Sequence, residues 1–217
     1  MRHIIFDMDG VLIDSEPEYQ KRTRKYIRSL GLELPEEMYD LICGSNLRDS
    51  YQLLRNRVSG FEVTYQEYVE GKLELLRKEP LDVKGIADKE LYPLLQYLKE
   101  QKYHIALASS SPKDRIVSYL EELGVLDFFE VIVSGMDFKR SKPDPEIYFY
   151  TLSCLHVSAE QCLVVEDSTY GIEAAKAAGT VVIGKKDQRF GYDQSRADYL
   201  VEHLGQVKEI CEQLEKK

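Results

Sequence analysis

Short apolar runs rich in β-branched residues recur at positions 4–6, 104–108, 131–133, 163–165, 180–183 and 199–201. The runs at 4–6 and 163–165 read as buried strands, and the others as further strands of the same kind. From residue 86 onward they alternate with helical patterns at 91–99, 113–123, 146–156 and 171–178. This alternation predicts an α/β fold, a doubly wound parallel sheet with helices on both faces.

Residues 15–80 break that pattern. Tyr19, Thr23, Tyr26, Ile27 and Leu30 form one helical stripe; Leu47, Tyr51, Leu54 and Val58 form a second; Tyr65, Tyr68, Val69, Lys72 and Leu76 form a third. No strand pattern interrupts them. One strand, a run of helices and then resumed alternation predict a core of residues 1–14 and 81–217 carrying an inserted helical cap, 15–80. Glu79-Pro80 through Lys84-Gly85 reads as the return hinge. The insert leaves from the loop after the first strand, so it is expected to act as a lid on that loop's chemistry.

In an open parallel sheet, ligands bind beyond the carboxyl ends of the strands. The first strand ends in Asp7-Met8-Asp9-Gly10, two carboxylates two residues apart. Alone, this motif also reads as a solvated Asp-Gly turn. The second strand ends in Ser109-Ser110-Ser111-Pro112, where Ser111 reads as a helix cap, Pro112 as the first helical residue and Ser109 as a hydroxyl at the strand tip. Next comes Ser141-Lys142-Pro143-Asp144-Pro145. A cation at the head of the following helix opposes the dipole unless an anion accompanies it. The fourth strand ends in Glu166-Asp167, acids that suit either a helix start or a hard divalent cation. Carboxylates, a serine, an anchored lysine and a helix N-terminus at neighbouring strand ends describe a phosphate site.

The bulk numbers narrow this reading. Across 217 residues the net charge is −9, which argues against a nucleic-acid partner but not against an anionic substrate met by a metal. Cys43, Cys154, Cys162 and Cys211 show no metal-like spacing. No apolar stretch reaches the roughly 20 residues needed to span a bilayer. A strand at the very start argues against a leader, so a reducing cytoplasm is the expected compartment.

In order and spacing, Asp7-Met8-Asp9-Gly10-Val11, Ala-Ser109-Ser110-Ser111, Ser-Lys142-Pro-Asp-Pro and Glu166-Asp167-Ser168 with Gly171 resemble the four motifs of the haloacid dehalogenase (HAD) superfamily. The branch they resemble is the β-phosphoglucomutase-like group with a helical cap. The resemblance implies an enzyme in which Asp7 is the nucleophile that becomes an aspartyl-phosphate and Asp9 is the general acid/base. It implies that Ser109, Ser110 and Lys142 bind the phosphoryl group. It also implies Mg²⁺ held by Asp7, Asp9, Glu166 and Asp167. Gly44 and Arg48 are the implied cap residues facing substrate; a solvated helix-face arginine is the alternative for Arg48.

Two departures bear on the acceptor. Tyr19 stands where the mutase has a histidine, and Cys43 precedes Gly44 where the mutase has a lysine. The expected activity is therefore Mg²⁺-dependent hydrolysis of a small phosphorylated metabolite such as a sugar phosphate, by a monomer. A β-phosphoglucomutase is the alternative. A dehalogenase fits less well, because displacing a halide requires no metal site. A receiver-like phospho-aspartate module would need its acceptor aspartate on a later strand, where only Asp137 stands, and would have no use for a lid.

Overall fold

The computed structural model describes residues 1–215, which form two compact units. One is Met1–Asp14 together with the chain from Val83 onward; the other is Ser15–Asp82. The chain opens with strand β1 (His3–Phe6) and then enters the second unit. There it forms α1 (Glu16–Ser29), α2 (Glu36–Ile42), α3 (Leu47–Arg57) and α4 (Tyr65–Lys78). Back in the first unit come α5 (Leu91–Glu100), β2 (His104–Ser109), α6 (Lys113–Leu123), β3 (Val131–Ser134), α7 (Glu146–Leu155) and β4 (Cys162–Glu166). These are followed by α8 (Thr169–Ala177), β5 (Val181–Lys185), β6 (Tyr199–Val201) and α9 (Val207–Glu215).

Among the described residues the six strands form one sheet in the order β3-β2-β1-β4-β5-β6, with every pairing parallel. This is the predicted doubly wound arrangement. Ile5, Ala106, Val164 and Val182 cover one face and pack with Ile147, Tyr148 and Leu152 of α7 and with Ile172 and Ala175 of α8. Their strand neighbours point to the opposite face, as the two-residue period requires. Phe6 lies level with Leu107 of β2 and Val165 of β4, and Asp7 continues the strand by donating its N–H to Val165 O at 3.0 Å. The register thus places Asp7 between Ala108 and Glu166. No helix among the described residues is long and apolar enough to cross a membrane.

The outgoing and returning segments meet within the first unit. Ile13 pairs antiparallel with Ala87, Asp14 N donates to Ile86 O, and Asp88 N donates to Leu12 O. An insertion at this point leaves the sheet intact, because its two ends are already hydrogen-bonded to each other.

The second unit has its own core, built from Tyr26, Ile27, Tyr39, Ile42, Leu54, Phe61 and Tyr68. Its short helix α2 falls outside the three predicted stripes. With only Tyr39 and Ile42 buried, seven residues carry too little periodicity to read. A capping box of Thr64 and Glu67 starts α4. Gly71, in the interior of α4, would ordinarily cost about 1 kcal/mol relative to alanine. It is there because the Tyr26 ring rests on it: a Cβ would lie 2.2 Å from Tyr26 Cε2. Gly71→Ala should therefore destabilise the second unit by about 1–2 kcal/mol despite its better helix propensity. Urea unfolding followed by hydrogen exchange across residues 15–82 checks this.

Candidate active site

At the carboxyl ends of β1, β2 and β4 one ammonium holds the centre. Lys142 Nζ donates to Asp7 Oδ1 at 2.6 Å, to Glu166 Oε1 at 2.6 Å and to Ala108 O at 3.1 Å. Its three protons are thereby all used. The side chains of Lys142, Asp7 and Glu166 are 7 %, 9 % and 1 % exposed, so the cluster sits in a low-dielectric pocket. Lys142 precedes α7, which starts at Glu146, so these acceptors hold it rather than a place at the helix head.

Burial pushes the Asp7 carboxyl up to about 7; Lys142 opposes this, while Glu166 and Asp9 add to it. For Lys142, burial alone favours the neutral amine, but Asp7 and Glu166 outweigh it and hold the ammonium well above its ordinary value. The lysine stays charged, and the crowding of acids around Asp7 calls for further positive charge.

Glu166 departs from its expected role as a metal ligand. Its Oε1 accepts from Lys142 and from the Tyr148 hydroxyl at 2.8 Å. Its Oε2 accepts from Asp167 N, Ser168 N and Ser168 Oγ at 3.0, 3.3 and 3.2 Å. With both oxygens saturated by donors, the carboxylate has no lone pair left for a cation. It lies directly against Gly171, where a Cβ would come within 1.9 Å of Oε1. Tyr148 is fully buried; desolvation and the Glu166 charge keep its hydroxyl protonated well above the usual range. Nothing in the sequence pattern singled out Tyr148 beyond its place in an apolar helix.

The serines also depart in part. Helix α6 begins at Lys113 with Pro112 as its N-cap residue, so Ser111 does not cap it. The Ser111 hydroxyl instead donates to Asp9 Oδ2 at 2.9 Å, and its N–H donates to Ser109 Oγ at 3.1 Å. Ser134, at the end of β3, donates to Ser111 O at 2.8 Å and holds this turn in place. Ser109 is buried at the strand tip and Ser110 is exposed beside it. Gly135 packs against the Ser110 backbone, where a Cβ would meet Ser110 Cα at 3.2 Å.

Asp167 lies on the acidic turn itself. Gly10 adopts φ +80°, and a Cβ there would fall 2.0 Å from Asp167 Oδ2. Lys185 donates to Gly10 O and Val11 O at 3.1 and 3.0 Å and pairs with Asp88, which pins the same turn from the β5 side. Among the described residues no group of three His, Cys, Asp or Glu side chains encloses a metal ion. Mg²⁺ needs less, because it keeps water and phosphate oxygens and takes only one or two carboxylates. Asp7 and Asp167 supply that number of carboxylates, and the acid crowding at Asp7 fits the demand electrostatically.

Gly44 and Arg48 belong to the second unit. Gly44 takes φ +65° and donates its N–H to Glu16 Oε1 at 3.3 Å, while Cys43 Sγ lies 3.0 Å from the same oxygen. The Arg48 guanidinium lies 5.7 Å from the centre of the Tyr65 ring. Lys72, read as part of an apolar stripe, has its ammonium in the interior, where it donates to Thr23 Oγ1 and faces the Tyr68 ring. Burial lowers it to about 8, with Glu16 opposing.

The family model described as haloacid dehalogenase-like hydrolase matches residues 4–185. A "Phosphorylated carbohydrates phosphatase" of Thermotoga maritima is 34 % identical over 186 residues, covering 82 % of each chain. A "Beta-phosphoglucomutase" of Bacillus subtilis is 31 % identical over 193 residues, covering 85 % of this chain and 83 % of that one. The crystal structure of a β-phosphoglucomutase from Clostridium difficile superposes with a TM-score of 0.82 at 23 % identity, covering 100 % and 98 % of the two chains, a likeness of fold. The chain belongs to the haloacid dehalogenase-like hydrolases, and it is an enzyme.

Two outcomes follow from this geometry. Gly10→Ala should drive Asp167 off the acidic turn and weaken Mg²⁺ binding at least about 10-fold, as read by titration calorimetry on protein shown folded by circular dichroism. Lys72 holds its proton less tightly in the fold than in the unfolded chain. Between about pH 8 and its ordinary value of 10.5 the unfolded chain therefore binds more protons, and stability rises with pH. Lys72→Met removes the cost of burying the charge. Its stability advantage over the wild type should shrink by about 2 kcal/mol from pH 7 to pH 10, measured by denaturant melts.

Proposed function

We propose that the protein is a Mg²⁺-dependent phosphatase of small phosphorylated metabolites, with phosphorylated sugars as the substrate class, and that it works through an aspartyl-phosphate on Asp7. The observation that carries this reading is the Lys142 ammonium shared at 2.6 Å by Asp7 and Glu166 where the strands end. The sugar class rests on the relative that acts on phosphorylated carbohydrates.

Asp7 attacks phosphorus, forming the acyl-phosphate bond as the bond to the leaving oxygen breaks. Asp9 protonates that oxygen, and the resulting carboxylate then takes a proton from the water that attacks phosphorus. Phosphate leaves and Asp7 is restored. The Ser111 hydroxyl on Asp9 Oδ2 orients this acid/base. As the phosphoryl group enters, the Lys142–Asp7 bond is exchanged for a bond from Lys142 to a phosphoryl oxygen, while Glu166 and Ala108 O keep the ammonium in place. Ser109, whose oxygen accepts from Ser111 N, directs its proton to another phosphoryl oxygen, with Ser110 beside it. The Asp7 and Asp167 carboxylates and the Asp9 carbonyl would hold Mg²⁺, which would supply charge neutralisation for the transferring group.

A phosphomutase is the second reading, favoured by the relative of that name. Tyr19 and Cys43, in place of the mutase histidine and lysine, argue for water as acceptor. Cys43 contacts Glu16 through Sγ and has no amine to offer a second phosphate.

With p-nitrophenyl phosphate and a panel of sugar phosphates, Mg²⁺ should support phosphate release and a chelator should abolish it. Asp7→Asn and Asp9→Asn should each lose at least about 10³-fold in kcat. Release of phosphate by Asp7→Asn at the wild-type rate would remove the covalent mechanism. Conversion of β-glucose 1-phosphate to glucose 6-phosphate, with a trace of the 1,6-bisphosphate and no net phosphate release, would replace the phosphatase by the mutase.

A further inference from the structure

We propose that the Tyr148 hydroxyl is a positioning group for phosphoryl transfer: by holding Glu166 Oε1 it keeps the Lys142 ammonium trained on Asp7 and on the incoming phosphoryl oxygen. This rests on the phosphatase reading for its chemistry and on the geometry below for its mechanism.

Tyr148 comes from α7, where Ile147, Tyr148, Thr151 and Leu152 form the buried face and Phe149 and Tyr150 point outward. Its ring belongs to the apolar core that includes Ile5, Ala106 and Val164, a setting in which phenylalanine would fit equally well. A buried hydroxyl there costs free energy unless it makes a hydrogen bond, and the bond it makes is to Glu166 Oε1 at 2.8 Å. That oxygen is the one holding Lys142 at 2.6 Å. The face of the same ring lies 5.1 Å from Lys142 Nζ, so Tyr148 touches both members of the ion pair.

The two oxygens of Glu166 have different supports. The turn into α8 supplies all the donors on Oε2, from Asp167 N and Ser168. On Oε1, Tyr148 is the support that does not move with Lys142. When Lys142 trades Asp7 for a phosphoryl oxygen, its remaining anchors are Ala108 O and Glu166. The carboxylate must then stay in place without help from the bond being exchanged. A hydroxyl fixed in the core of α7 does this.

Tyr148→Phe keeps the ring and removes only this bond. With p-nitrophenyl phosphate and saturating Mg²⁺ it should lower kcat about 10-fold and leave KM within about 2-fold. In the Glu166→Gln background the same substitution should add less than about 2-fold, because the hydroxyl acts through that carboxylate. A crystal structure of Tyr148→Phe should show Lys142 Nζ withdrawn from Asp7. An unchanged kcat, fully additive losses in the double variant, or Lys142 retaining both contacts in the crystal would each overturn the proposal. If the wild type releases phosphate from none of the panel, the phosphatase reading fails, and the crystal structure still decides the role of Tyr148.

Discussion

A single buried ammonium sets the terms for the rest of the molecule. Lys142 lies in contact with two carboxylates in a pocket that water hardly reaches. Removing three charged groups from water is costly, and an apolar replacement of similar volume is often at least as stable. Stability is therefore a poor account of why these groups are here. They make sense as a prepared environment for an anion. Lys142 is outnumbered by Asp7, Glu166 and Asp9, whose crowding helps raise the Asp7 carboxyl, so the vicinity is short of positive charge before any phosphate arrives. A dianionic phosphoryl group cannot enter such a field alone. A divalent cation restores the balance, which is the electrostatic argument for Mg²⁺ at this place.

The fold meets this demand through register and through two missing side chains. Because Phe6 is level with Leu107 and Val165, the next residue of each strand meets at one height. Glycine then decides how closely the acids can approach. Gly10 lets Asp167 rest on the acidic turn, and Gly171 lets Glu166 lie against α8. A methyl group at either position would occupy the volume of a carboxylate oxygen. Lys185 and Asp88 clamp the same turn where the chain leaves for the helical unit and returns. The 68-residue excursion from Ser15 to Asp82 is thus tied off at its base.

How far this could be read from sequence depended on which period carried the information. The strands were legible because apolar β-branched runs are self-reporting, and their ends named Asp7, Asp9, Ser109, Lys142 and Asp167 as neighbours. Glu166 and Asp167 looked like a joint ligand set because they are adjacent. In extended backbone, adjacent side chains point to opposite sides. One side faces Lys142, Tyr148 and Gly171; the other faces Gly10. A sound local rule makes Ser111 a helix cap, yet a carboxylate more than a hundred residues away takes its hydroxyl. Tyr148 was one of three aromatic residues in a row. Only the phase of α7 against the sheet distinguishes it from Phe149 and Tyr150.

These assignments also separate reaction from choice of substrate. The proposed nucleophile, its acid/base, the phosphoryl-binding lysine and the supports of each come from the first unit. Ser111, which holds Asp9 Oδ2, belongs to the same unit as Asp9. The second unit has a core of its own and, within it, a separate polar group formed by Lys72 with Thr23 and by Glu16 with Cys43 and Gly44. Relatives about equally similar to this chain can then carry different activities, a carbohydrate phosphatase in one case and a phosphoglucomutase in another. On this argument the identity of the phosphate acceptor should follow residues such as Tyr19 and Cys43, while the rate of P–O cleavage should follow Lys142 and the groups that hold it.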